Sequence, residues 1–286
     1  MKKTNKHAYL LALLPFALVV VLYEFIPLFV IVLRSFFSEN GLGFTLQNYV
    51  DIFSKKLYSD AVLNSVLISF VSSIIGIVIA FFGAKAAHTA SNKSKNLFMS
   101  IVNMTSNFAG IPLAFAFMIL LGNVGMLVMA GKQFGIEWLA NFNLYSYSGL
   151  LITYIYFQVP LATLLLIPAF DGLKKEWKEA VNLMGGGNGL YWFRVAIPNL
   201  LPSLLGTLSV LFSNAIAAFA TAYALLANNY SLLPIRISEQ FVGDIVQHKE
   251  FGSALAVILM LLMVLATSIN NYILKKQRWE NAKNQG

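Results

Sequence analysis

Glu179-Ala180-Val181-Asn182-Leu183-Met184-Gly185-Gly186-Gly187-Asn188-Gly189, followed by Ile197-Pro198 and Pro202, forms a polar, glycine-broken stretch between two strongly apolar runs. Residues Lys174 to Met184 have the spacing of a short amphipathic helix. Trp177, Ala180, Val181 and Met184 fall at i, i+3, i+4 and i+7, with Lys174, Lys175, Lys178 and Asn182 elsewhere around it. Such a helix lies at a surface and is too short to cross a membrane. The glycines that follow end it, because glycine readily takes the left-handed backbone found after a helix C-terminus. Pro198 and Pro202 fall where a new helix begins, and a first turn tolerates proline because its missing N–H would be unpaired there anyway.

The flanking composition sets the class. Of 286 residues, 58% are hydrophobic and 11% charged, against about 25% charged in a soluble domain. The apolar runs are long enough to be helices crossing a hydrocarbon core of about 30 Å, which takes about 20 residues each. Ten-residue alternating segments of the kind that build a membrane barrel are absent. The fold class is therefore all-α, a polytopic membrane protein with six transmembrane helices. The chain has no cysteine, which excludes disulfides and cysteine-ligated metals. His7, His88 and His248 are scattered, and no metal site is read. The net charge of +8 does not point to nucleic acid, because the basic residues fall in alternate loops. With a cytosolic N-terminus, fourteen of the 20 lie on the cytosolic side and six on the other, so the positive-inside rule places both termini in the cytosol. The start reads as an uncleaved first span and not as a signal peptide.

The expected spans are Tyr9 to Phe36, kinked near Pro27, then Val62 to Ala86, Leu97 to Leu121, Tyr147 to Phe170, Leu200 to Ala227 and Phe251 to Leu274. An interfacial helix is expected near Phe44 to Phe53, and amphipathic external segments after the third and fifth spans. Short loops and the absence of internal repeats indicate one transmembrane domain over residues 1–286. Its parts are a peripheral first span at about 9–36, core spans at about 62–274 and a cytosolic loop at about 174–198.

The six-residue step from Glu179 to Gly185, followed by Pro198 and Pro202, resembles the EAA loop of the inner-membrane permeases of bacterial ABC importers. Six spans with this loop between the fourth and fifth resemble the type I importer permease, in which five core helices follow one peripheral helix. The external loops resemble the branch handling polyamines, ferric iron, sulfate, thiamine and phosphonates. The resemblance implies that Trp177, Glu179, Ala180, Val181, Met184, Gly185, Gly186 and Pro198 form the docking site for a cytosolic ABC ATPase dimer. It further implies a second permease subunit, either another copy or a different chain, an extracytoplasmic solute-binding protein, and a multi-pass location in the bacterial plasma (inner) membrane. ATP and magnesium would be bound by the partner ATPase, with no cofactor in this chain and no enzymatic activity of its own. The sequence agrees on that last point, since Ala130-Gly131-Lys132-Gln133 lacks the first glycine and the Ser/Thr of a phosphate-binding loop, and no nucleophile, base and acid constellation can be drawn.

Asn103, Thr105, Ser106, Asn107, Gln158, Ser213, Asn214, Thr221 and Tyr223 place polar groups on the third, fourth and fifth spans. They read either as the lining of a solute passage or as interhelical hydrogen bonds, each worth about 0.6 to 2 kcal/mol in membrane bundles. Glu24 is the one clear acidic residue deep within a span, where a carboxylate is costly. It reads as an attractor of a cationic solute, a pairing point for a second permease, or a structural glutamate beside the bend at Pro27. In a second class of function, an ion-gradient-driven secondary transporter, Glu24 would be the ion site. Such a carrier has no need of the glycine-broken loop.

Overall fold

The computed structural model describes residues 6–38, 43–227, 230–242 and 247–283. Lys2 and Lys3, counted among the fourteen basic residues on the cytosolic side, and Ile245, on the apolar face expected of the external segment after the fifth span, lie outside them. Among the described residues the chain is helical apart from turns and one isolated antiparallel bridge, Phe37 to Phe44. Six helical stretches are long and apolar enough to cross a membrane: Leu13–Arg34, Lys56–Thr89, Ile111–Phe134, Tyr147–Asp171, Asn188–Ile216 and Lys249–Lys275.

The first span consists of α1 (Lys6–Val20), a π-helical turn (Val21–Phe25) and α2 (Ile26–Arg34). The expected kink at Pro27 takes this form because a proline ring would collide with the carbonyl four residues back in a regular helix. The chain widens instead, and the Ile26 N–H reaches Val21 O. No residue from Leu13 to Arg34 is buried. Its C-terminal portion, α2, packs on the last helix, α15 (Lys249–Lys283), while α1 has no comparable packing. Next come α3 (Gln47–Ser54) and α4 (Lys56–Thr89).

The bundle is built on the pairing of α4 with α9 (Tyr147–Asp171), its most extensive contact. The buried face of α4 carries Ser65, Ser69, Ser72, Ser73, Gly76, Ala80, Ala84 and Ala87, and such small side chains let membrane helices approach closely. At Gly76 a Cβ would sit 3.1 Å from the Gln158 Cβ, so the crossing depends on that glycine.

Two spans differ from expectation. The third was expected as one helix from Leu97 to Leu121, but α5 (Asn92–Ser106) stops and α6 (Ile111–Leu121) restarts beyond a break. Thr105, Ser106 and Asn107 turn their side chains back onto the carbonyls of Ile101, Val102 and Asn103, Gly110 takes φ +74°, and Pro112 opens the next helix. Beyond a second interruption at Gly122–Gly125 the apolar path continues in α7 (Met126–Phe134), followed by α8 (Glu137–Ala140). Between the fourth and fifth spans lie α10 (Lys175–Leu183), α11 (Asn188–Tyr191) and a second π-turn (Trp192–Ala196). The fifth span, expected from Leu200 to Ala227, is α12 (Ile197–Ile216) and α13 (Phe219–Leu226), parted at Ala217 and Ala218, and α14 (Leu233–Phe241) follows.

Candidate functional site: a loop helix and a cavity at two helix breaks

Residues 175–183 form the helix that the sequence predicts, and its end is closed by a full Schellman motif. The Gly186 N–H donates to Val181 O at 2.9 Å and the Gly185 N–H to Asn182 O at 3.0 Å, with Gly185 at φ +77°. Gly186 is also a point of close approach, since a Cβ there would meet Val181 Cγ1 and Leu190 Cδ2, each at 2.7 Å.

The orientation of α10 differs in one respect from the sequence reading. Val181 does not face outward with Ala180. It is 6% exposed and packs into the chain's own cluster with Phe170, Leu173 and Tyr191, against which Trp177 also rests. Trp177 and Val181, four residues apart, pin the helix to the body. That leaves Glu179, Ala180, Leu183 and Met184 on the free side, the last two 89% and 79% exposed. Leu183 was not among the expected residues. Its place three residues beyond Ala180 was the available signal, masked because the apolar stripe was drawn through Val181. Pro198 sits exposed in the first turn of α12. The π-turn before it repeats the device of the first span, with the Ile197 N–H reaching Trp192 O.

The two broken spans meet. Thr221 Oγ1 donates to Gly110 O at 3.2 Å, and a cavity of about 410 Å³ opens beside this bond, lined by Ala109, Gly110, Phe157, Asn214, Ala217, Ala218, Phe219, Ala220 and Thr221. Interrupted helices at membrane depth persist where the loosened backbone faces a cavity or other protein. No charged side chain lines this one. Of the polar set read from the sequence, Asn214 and Thr221 are in its wall. Tyr223 is half-exposed and stacked on Phe219 at 5.2 Å. Asn103 is exposed and its carbonyl accepts from Ser106 and Asn107, while Thr105 and Ser106 are half-buried and engaged with their own helix. Asn107 is exposed and Ser213 half-buried.

Gln158 is fully buried. Its amide lies 2.7 Å from Ser72 Oγ and 3.2 Å from Ser73 Oγ, and with both ends satisfied its nitrogen donates to Leu211 O at 3.0 Å. It thus ties α4, α9 and α12 together. Glu24 lies in the first π-turn, exposed and away from the cavity wall.

A bundle of six apolar helical stretches, two of them ending at chain breaks beside a shared cavity and two joined by a short surface helix, defines a polytopic membrane permease fold. Residues 72–279 match the family described as binding-protein-dependent transport system inner membrane component, and the chain belongs to that family. It is 24% identical over 250 residues to the spermidine/putrescine transport system permease protein PotB of Haemophilus influenzae, covering 86% of each chain. To the thiamine transport system permease protein ThiP of Escherichia coli it is 23% identical over 157 residues, 55% of this chain and 29% of that one. The chain thus spans less than a third of the thiamine permease. In a crystal structure of a bacterial ABC transporter involved in the import of the acidic polysaccharide alginate, one chain superposes with a TM-score of 0.71 at 14% identity, over 95% of this chain and 98% of that one. That likeness concerns the fold.

Proposed function

We propose that this chain is the permease subunit of an ATP-driven ABC importer, forming its half of a solute pathway and docking a cytosolic ATPase through α10. The observation that carries the reading is the build of that helix: Trp177 and Val181 fix it to the body, a Schellman turn closes it, and Leu183 and Met184 stand almost fully exposed beside Glu179. Exposed apolar side chains rimmed by charge mark a protein contact. Fully burying a leucine or methionine contributes about 1.5 to 3 kcal/mol, and a charge-assisted hydrogen bond from Glu179 to a basic group on the ATPase would add to this. ATP and magnesium belong to that partner. A second permease subunit completes the pathway, and an external binding protein delivers the solute. In this arrangement the face carrying α10 and both termini is cytosolic, and the membrane is the bacterial inner membrane.

The cavity between Gly110, Asn214 and Thr221 is the part of the passage this subunit supplies. Its walls are mostly alanine, glycine and phenylalanine, with the Asn214 amide as the free polar group, and they suit a small solute held weakly. The curated relatives named above move polyamines and thiamine. The ion-gradient alternative loses its support because Glu24 lies on the span least packed into the bundle.

The test is co-purification of the tagged permease with its ABC ATPase from the native host. Leu183→Glu should lower the ATPase recovered at least tenfold, since about 1.4 kcal/mol suffices for that, and Glu179→Lys should do the same while both variants still insert in the membrane. Full recovery with both variants would refute docking at α10.

A further inference from the structure

The second π-turn makes contacts that neither docking nor the cavity requires. Trp192, its first residue, lies beneath Lys85 of α4, with the ammonium 4.2 Å from the ring centroid. The same indole packs on Phe81 of α4 at 6.0 Å and on Phe170 of α9 at 6.3 Å, and those two rings meet at 5.2 Å. Among the described residues Lys85 has no carboxylate within ion-pair distance, so the indole face is its partner, a cation–π arrangement. Around this joint the loop-side ends of three helices are clamped. Asp171 at the end of α9 receives Lys95 of α5 through both oxygens at 2.8 and 2.7 Å, and His88 of α4 lies 3.3 Å away.

The covalent route from the loop to α12 is a poor transmitter. It passes through a π-turn and then Pro198, where regular helical bonding is interrupted, so a push on α10 would be absorbed as bending. Trp192 supplies a second route. Its ring is wedged between α4 and α9, and through Gln158 these two are bonded to Leu211 of α12, three residues before Asn214 in the cavity wall. We infer that Trp192, held by Lys85, is the positioning residue that converts movement of α10 into movement of α4 and α9 and hence of the cavity. The inference rests on the proposed docking of an ATPase at α10.

The test uses the assembled transporter in lipid vesicles. The chain has no cysteine, so Asn214→Cys provides a single thiol at the cavity, read by its rate of reaction with N-ethylmaleimide with and without ATP and vanadate. Trapping the nucleotide should change that rate about fivefold or more, the lower end of ordinary coupling. With Trp192→Leu or Lys85→Met added, the change should vanish while the ATPase co-purifies in the same ratio and still hydrolyses ATP. Lys85→Arg keeps the cation on the ring and should restore the response. A full response in both Trp192→Leu and Lys85→Met would overturn the relay, and so would loss of ATPase binding in both, which would make the joint a docking element. Leu183→Glu tests the underlying reading separately: if it releases the ATPase while Trp192→Leu responds normally, docking stands and the relay falls.

Discussion

The three successive glycines after α10 give a graded test of the loop. At Gly187 the backbone is extended, φ −89° and ψ 176°, and a Cβ would meet nothing within 4 Å. Gly187→Ala should therefore be neutral, or stabilising by about 0.4 to 1 kcal/mol through the unfolded chain. Gly185 has open space but φ +77°, so alanine there costs about 1 to 2 kcal/mol in the left-handed region. Gly186 is the crowded one, with Val181 Cγ1 and Leu190 Cδ2 at 2.7 Å and Val181 O at 3.0 Å from a Cβ. Leu190 can turn away, but Val181 is buried at 6% exposure and stiff at its first torsion, so overpacking costs about 1 to 3 kcal/mol. A helix as short as α10 cannot hold its shape unaided, so this penalty appears as opening of the whole segment. A loss of about 2 kcal/mol raises the open population roughly thirtyfold. Amide hydrogen exchange over residues 175–191 reads this directly: Gly186→Ala should speed exchange by about that factor, with Gly185→Ala somewhat less and Gly187→Ala unchanged. Equal exchange in the Gly186 and Gly187 variants would refute the packing account of the turn.

Gln158→Leu should weaken the tie between α4, α9 and α12 by about 0.6 to 2 kcal/mol, seen as a lower midpoint in thermal unfolding of the solubilised protein; an unchanged midpoint would mean that these bonds are replaced without loss. Single cysteines at Ser54 and Asn92, both exposed and flanking the crossing stretch Lys56–Thr89, should divide in intact cells treated with an impermeant thiol reagent. Ser54→Cys should react and Asn92→Cys should not, and the reverse pattern would turn the molecule over.

The helical class, the number of crossing segments and the loop helix were legible because each rests on local signals: long apolar runs, a stripe at helical spacing, and glycines where a helix must end. The break after Ser106 was half legible, since Asn107, Gly110 and Pro112 mark it, yet the surrounding hydrophobicity suggested one continuous span. The break at Ala217 was not legible. Ala215-Ile216-Ala217-Ala218 are residues a helix accepts readily, and the interruption is set by packing: Tyr154 donates to Ala218 O at 2.9 Å and Thr221 to Gly110 O. The inward turn of Val181 was hidden for a similar reason. The periodicity marks an apolar face but does not say whether the chain itself or a partner covers it. Likewise, Gln158 reads equally well as passage or tie until its neighbours Ser72, Ser73 and Leu211 are known.

Each π-turn ends two residues before a proline, Phe25 before Pro27 and Ala196 before Pro198, and each holds one residue more than a regular helix would need. One residue is about 100° of rotation around a helix axis. The extra residue therefore acts as a phase setting between what lies on either side. If the residues from Trp192 to Ala196 were wound as regular helix with none removed, as replacing Pro198 by alanine favours, the upstream part would be turned by that angle, carrying the indole off the α4 and α9 faces while α12 stays in place. Removing one residue as well would return the indole to its present phase. Chain length at this point, as much as residue identity, decides which side of the re-entering segment meets the bundle.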